Sequence, residues 1–145
     1  MRGSPLIIKR AAATENLSDP QQFTLYSEQS DARGSFQGIL NTGNWREVNV
    51  VYTKAGQIRG GHFHQHTSEV IFILSGRAEV LLTPCEDLSK RIVLMLKAGE
   101  GIRIPPMVAH DFNYLEDSMH LQLLDKCFDP ANQDLITFSP EACLT

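Results

Sequence analysis

The chain predicts an all-β fold of the sandwich or jelly-roll barrel type, folded as one domain. Three observations carry that prediction. Short runs rich in Val, Ile, Leu, Phe and Thr recur along the chain, Gly, Pro, Asn and Asp signals separate them at regular intervals, and no segment sustains a 3.6-residue period. At 145 residues with 42% apolar content, one hydrophobic core is affordable and a second domain is not.

The elements follow in order. Residues 1–33 read as an N-terminal arm, in which Met1–Ser4 resembles an expression-vector leader and is set aside, Asp19-Pro20 marks a turn, and Phe23–Tyr26 forms a short strand. Residues 34–145 supply the barrel. Strands are predicted at Ser35–Leu40, Arg46–Thr53, Glu69–Leu74, Glu79–Thr83, Arg91–Lys97, His110–Leu115 and Met119–Leu124. Turns fall at Thr42-Gly43-Asn44, Lys54-Ala55-Gly56, Ser75-Gly76, Lys97-Ala98-Gly99-Glu100-Gly101 and Pro105-Pro106. Val70–Leu74 is apolar on both faces, so the arm or a second subunit must cover its outer side.

Charge and composition exclude several classes of partner. Thirteen basic against 17 acidic residues give a net charge of −4, with no basic cluster, so neither nucleic acid nor an anionic membrane is expected. No stretch approaches the roughly 20 apolar residues of a membrane span, and the N-terminus lacks a signal-peptide core, which reads as a soluble cytoplasmic protein. Cys85, Cys127 and Cys143 are odd in number and far apart, and are expected to be reduced thiols.

The chemistry concentrates in Gly56-x5-His62-x-His64-x4-Glu69-x6-Gly76, answered by Gly99-x5-Pro105-x4-His110. On an extended strand His62 and His64 leave the same face, with Cα atoms roughly 7 Å apart. Glu69 opens a strongly apolar strand, where an inward carboxylate requires a cation or donor and an outward one is simply solvated. Three imidazoles and a carboxylate suit one divalent transition metal, Fe, Mn, Ni, Cu or Zn, whereas Ca and Mg favour all-oxygen shells. Read without the motif, each histidine is an ordinary surface or hydrogen-bonded core residue.

The spacing of these residues resembles the two signature motifs of the cupins, small double-stranded β-helix barrels. The resemblance spans about residues 45–125, with Met107 where the family usually has glycine. It implies a cupin barrel, metal ligands at His62, His64, Glu69 and His110, and a homodimer sharing strands through the N-terminal arm.

His66 continues the line of His62 and His64 but falls in the predicted turn Gln65-His66-Thr67, so it belongs to the rim or the solvent. His120 and Gln122 share one strand face. Turned inward they orient a ligand, and turned outward they are surface residues. Tyr52, Arg59, Phe72 and Arg103 are further candidates for the pocket wall, and an inward arginine would call for a carboxylate, phosphate or enolate ligand.

A second resemblance narrows the chemistry. Asp31-Ala32-Arg33-Gly34-Ser35-Phe36, Asn49 and Arg59-Gly60-Gly61-His62-Phe63-His64 are similar to cupins acting on nucleotide-linked keto-sugars, namely 3,5-epimerases, 3,4-ketoisomerases and metal-binding domains of capsular sugar synthesis. It implies a general base at His62 or His64. A neutral imidazole can remove a proton α to a carbonyl, but an imidazole whose free lone pair holds a metal cannot. The leading expectation is therefore a metal-binding cupin that isomerises or epimerises a small keto-sugar or related carbonyl compound. A metal-dependent dioxygenase is the alternative, and a non-catalytic small-molecule binder is the third reading.

Overall fold

A computed structural model of the chain describes residues 18–144. Strands with period-two burial dominate: β1 (Gln21–Thr24), β2 (Ser27–Asp31), β3 (Gly34–Gly38), β4 (Glu47–Thr53), β5 (Ile58–His64), β6 (Glu69–Ser75), β7 (Arg77–Pro84), β8 (Ile92–Lys97), β9 (Glu100–Ile104), β10 (Val108–Tyr114), β11 (Ser118–Leu124) and β12 (Leu135–Thr137). One 3-10 turn, Ala142–Leu144, closes the described chain. Among the described residues, no helix is long and apolar enough to cross a membrane.

The strands form two antiparallel five-stranded sheets, ordered β1-β9-β6-β11-β4 and β12-β5-β10-β7-β8, with β2 and β3 as a separate hairpin. The architecture is the expected all-β jelly-roll barrel. Its core lies between the sheets, where Ile71, Ile73, Val80, Leu82, Leu96, Ile102, Ile104, Phe112 and Tyr114 pack together. Each such side chain contributes roughly 1.5–3 kcal/mol by leaving water. β6 carries Glu69, Ile71 and Ile73 toward this interior and turns Val70 and Phe72 to the other side. There Phe23 of β1 stacks on Phe72 at 6.1 Å, so a segment of the predicted arm covers part of that outer face. Residues 1–17 of the arm lie outside the described residues.

Besides β2, which falls in the stretch read as arm where no strand was expected, three features differ from the sequence expectation. Residues 100–104 form a strand, because Ile102 and Ile104 are claimed by the core although the glycines around them suggest a turn. β12 arises in a stretch with no strand signal, where Leu135, Ile136 and Thr137 pair with His64, Phe63 and His62 along the edge of β5. The third is the cysteine expectation: Cys85 and Cys143, 58 residues apart, are joined as a disulfide, while Cys127 is free and exposed. Sequence distance concealed their meeting, which occurs because the C-terminal turn folds back toward the end of β7.

Candidate functional site

Two facing sheets bring the motif residues to one place. His62 and His64 come from β5 and His110 from β10 in one sheet, while Glu69 from β6 and His120 and Gln122 from β11 come from the other. Backbone detail brings β5 close to β10. Gly60 has φ +115°, the pairing shifts register between His110 and Asp111, and a Cβ at position 60 would run into the His110 carbonyl oxygen. Only glycine permits that approach. Met107, φ 63°, holds the left-handed conformation just before β10 and donates its amide to the His64 carbonyl oxygen at 2.7 Å.

At the centre, His110 Nε2 lies 2.7 Å from Glu69 Oε1, and both side chains are buried. Burial opposes a charge on His110, but the Glu69 carboxylate prevails and raises the imidazole above its ordinary value. Burial likewise opposes the Glu69 anion, yet His110, His64 and the amide of Gln122 hold its carboxyl down at about 2. Each partner thus favours the charged form of the other. The ring N–H does not point squarely at Oε1, which is left without a well-directed hydrogen bond, so the contact is chiefly ionic. Oε2 is better served, accepting from Gln122 Nε2 at 3.0 Å.

The other two imidazoles flank this pair. His62 stands edge-on to His110, with ring centroids 4.7 Å apart, and to His64 at 5.8 Å. Burial, assisted by the neighbouring His110, lowers His62 to about 4, so it is neutral near pH 7. His64 Nδ1 lies 3.0 Å from Asp134 Oδ1, which can only accept, so Nδ1 carries a proton, and Nε2 stands 4.0 Å from Glu69 Oε2. Asp134 also accepts from the backbone of His66 and from the backbone and hydroxyl of Thr67. Burial would raise its carboxyl, but these hydrogen bonds keep it at about 2.

A cavity of about 340 Å³ opens over the centre, lined on its polar side by Arg59, His62, Glu69, His110, His120 and Gln122. A second, of about 240 Å³, shares His62 and Gln122 and reaches His64, Phe128 and Asp134. Arg59 is fixed at the rim by Thr53 Oγ1 at 2.7 Å and the Tyr52 carbonyl at 3.1 Å, with no carboxylate partner among the described residues. Gln122 bridges Glu69 and Asn49, which defines its amide orientation. His120 and Gln122 thus face inward.

Three of the candidate wall residues belong elsewhere. Tyr52 is 71% exposed on the outer face of β4, Phe72 stacks on Phe23 behind β6, and Arg103 lies 5.8 Å over the ring of Trp45. Each has the strand parity opposite to the inward residues of its own strand. His66 is exposed on the turn, as expected. Asp134 was missed, because it lies far beyond the motifs in a stretch of Asp, Asn and Gln that reads as loop. Tyr114, whose hydroxyl meets His120 Nδ1 at 2.9 Å, was legible only as a packing aromatic.

The donor chemistry suits a transition metal, since His64 and His110 each engage Nδ1 with an acceptor and turn Nε2 toward Glu69. The spacing does not: among the described residues, no group of three or more His, Cys, Asp or Glu side chains is arranged to hold an ion, and Glu69 closes directly on His110.

Comparison with known proteins agrees with this architecture. Residues 29–136 match the family described as the polysaccharide biosynthesis C-terminal domain. No curated protein sequence matches the chain. Among solved structures, a 3,4-ketoisomerase from Helicobacter canadensis is 19% identical with a TM-score of 0.72, over 87% of this chain and 95% of that one. A dTDP-4-dehydrorhamnose 3,5-epimerase from Bacillus anthracis is 21% identical with a TM-score of 0.68, over 82% and 79% of the two chains. The capsular polysaccharide assembling protein CapF from Staphylococcus aureus is 24% identical with a TM-score of 0.60, over 77% of this chain and 32% of CapF, so the chain spans about a third of that protein. At these identities the likeness is one of fold.

Proposed function

The chain belongs to the polysaccharide biosynthesis C-terminal domain family, and from that premise we propose that it is an isomerase or epimerase acting on a nucleotide-linked keto-sugar. One observation carries the reading: His62, an imidazole kept neutral by burial, lines the same cavity as Arg59, a guanidinium with no carboxylate partner among the described residues. A neutral imidazole removes the proton α to a carbonyl, and a fixed cation stabilises the enolate that results. The protein's structural neighbours include a 3,4-ketoisomerase and a dTDP-4-dehydrorhamnose 3,5-epimerase. His64, oriented by Asp134, is the second proton carrier beside His62.

The test uses a dTDP-linked 4-keto-6-deoxyhexose in D2O. The protein should introduce deuterium at the carbon next to the carbonyl without consuming oxygen, and His62→Asn should slow this by roughly 10²–10⁴-fold. Oxygen uptake with an Fe(II)-loaded sample would instead favour the dioxygenase. Tight binding with neither reaction would favour the binder.

A second reading keeps His62, His64, Glu69 and His110 as ligands of a divalent transition metal. Its specific support is the matched orientation of His64 and His110, each with Nδ1 engaged and Nε2 directed at Glu69. Mass-spectrometric metal content of protein never exposed to a nickel column, compared with His64→Ala, decides it. Equal and negligible metal in both would remove the reading.

The proposal includes a homodimer. The outer face of β4 leaves Val48 62%, Val50 54% and Tyr52 71% exposed beside Leu121 and Leu123, an apolar strip at a sheet edge that a second copy would cover. Sedimentation of the full chain as a monomer at micromolar concentration would dismiss it.

A further inference from the structure

Both ends of the Cys85–Cys143 bridge lead to His64. From Cys85 the route runs through the backbone: the Cys85 amide donates to the Met107 carbonyl at 2.9 Å, and the Met107 amide donates to the His64 carbonyl at 2.7 Å. From Cys143 it runs back along the C-terminal segment. There the Phe138 amide donates to the Gly61 carbonyl at 2.8 Å, Thr137, Ile136 and Leu135 pair with His62, Phe63 and His64, and Asp134 reaches His64 Nδ1. The Gln65 amide closes the same contact by donating to the Asp134 carbonyl at 3.1 Å. From residue 125 to residue 144 not one residue is buried, so the segment is held by these hydrogen bonds and by the bridge, with little help from apolar packing. Cys85 and Cys143 are themselves only half-buried, within reach of a dissolved thiol.

We propose that the Cys85–Cys143 bridge is a redox-controlled fastening for the candidate site: oxidised, it keeps Asp134 on His64, and reduced, it releases the C-terminal segment and leaves His64 without that partner. The co-reactant is a dithiol. One of its thiolates attacks a bridge sulfur, so that the S–S bond breaks, a mixed disulfide forms and the electron pair leaves on the other cysteine, which takes a proton. The second thiolate displaces the remaining cysteine, which is protonated in turn. Two electrons and two protons have then passed to Cys85 and Cys143, and the dithiol has become a disulfide. With the bridge intact the segment is tethered at both ends, to β11 and to the end of β7, and after reduction only the β11 end remains, so leaving β5 gains chain entropy that closure had denied it. The release stays local because no member of the hydrophobic core lies beyond Tyr114 in the chain. It also removes Asn132, Gln133 and Leu135 from the wall of the smaller cavity, which His62 and His64 share. The inference goes beyond the keto-sugar reading, since it concerns His64 whatever substrate the cavity takes.

The test follows the nitrogen-15-labelled full chain by NMR, first oxidised and then reduced with dithiothreitol. Reduction should move the amide signals of residues 125–144 toward the disordered range, shift the His64 Nδ1 signal as its bond to Asp134 is lost, and speed exchange of the Phe138 amide with solvent by about tenfold or more. The amide signals of Ile71, Ile73, Val80 and Leu96 in the core should keep their positions, and oxidised glutathione should restore the first spectrum. Cys143→Ser should give the reduced spectrum with or without dithiothreitol, and Cys127→Ser should respond as the unaltered chain does. If the reduced chain keeps its His64 and Phe138 signals, the bridge fastens nothing at the site and the inference is overturned. Collapse of the core signals together with those of the segment, on reduction or in Cys143→Ser, would overturn it too, by making the bridge a staple of the whole fold.

Discussion

Asp134 Oδ1 and His64 Nδ1 meet at 3.0 Å across 70 residues of chain. The carboxylate fixes the tautomer of a site histidine and, through Thr67 and His66, pins the turn that joins β5 to β6. One residue from the C-terminal segment therefore sets both the chemistry of His64 and the path of the strand leading to Glu69.

Replacing Asp134 should expose both effects. Asp134→Ala leaves the donors of His66 and Thr67 without their acceptor and should cost about 1–3 kcal/mol by chemical denaturation. In Asp134→Asn the side-chain amide can donate to His64, so nitrogen NMR should find its proton moved from Nδ1 toward Nε2. An unchanged tautomer in that variant would refute the orienting role.

Acidification should destabilise the fold before any carboxylate titrates. His62 and His120 are both lowered to about 4, whereas an unfolded histidine titrates near 6.5. Between those values the unfolded chain binds protons that the folded one refuses, so stability is full above about 6.5 and declines as pH falls toward 4, with a slope of up to two protons. His110, raised by Glu69, has the opposite sign: its contribution is full below the ordinary histidine value and is lost as pH rises through its own. Denaturation midpoints should therefore peak near neutrality. A midpoint that rises steadily from pH 7 to pH 5 would contradict these assignments.

The Cys85–Cys143 bridge ties the C-terminal turn to the end of β7. With 58 residues between the cysteines, the chain-entropy argument gives about 4 kcal/mol as the stabilisation lost on reduction. Cys143→Ser, or thiol reductant on the unaltered protein, should lower the melting temperature, whereas Cys127→Ser should leave it unchanged. Identical melting of oxidised and reduced samples would show that the bridge constrains nothing that folding does not already hold.

Much of this site was legible in the order of residues. A strand period of two puts His62 and His64 on one face, and an inward carboxylate at Glu69 demands a cationic partner, which His110 supplies at 2.7 Å. The same period misled at Tyr52, Phe72 and Arg103, because alternation says that neighbouring residues face opposite ways without saying which way is in. His120 and Gln122 were undecided for that reason, and the packing of β11 between β6 and β4 turned them toward the cavity. Asp134, β12 and the cysteine bridge left no local trace, since each depends on the C-terminal segment returning to strands laid down far earlier.

The sequence by itself determined an all-β jelly roll and the residue types at its centre, because strand periodicity and turn chemistry are local. The packing of the sheets and of the C-terminal segment set the rest: Asp134 against His64, His120 turned into the cavity with Tyr114 on its Nδ1, and Glu69 within 2.7 Å of His110. Those outcomes depend on distances between atoms far apart along the chain, and such distances are set by how the two sheets pack and by where the C-terminal segment docks.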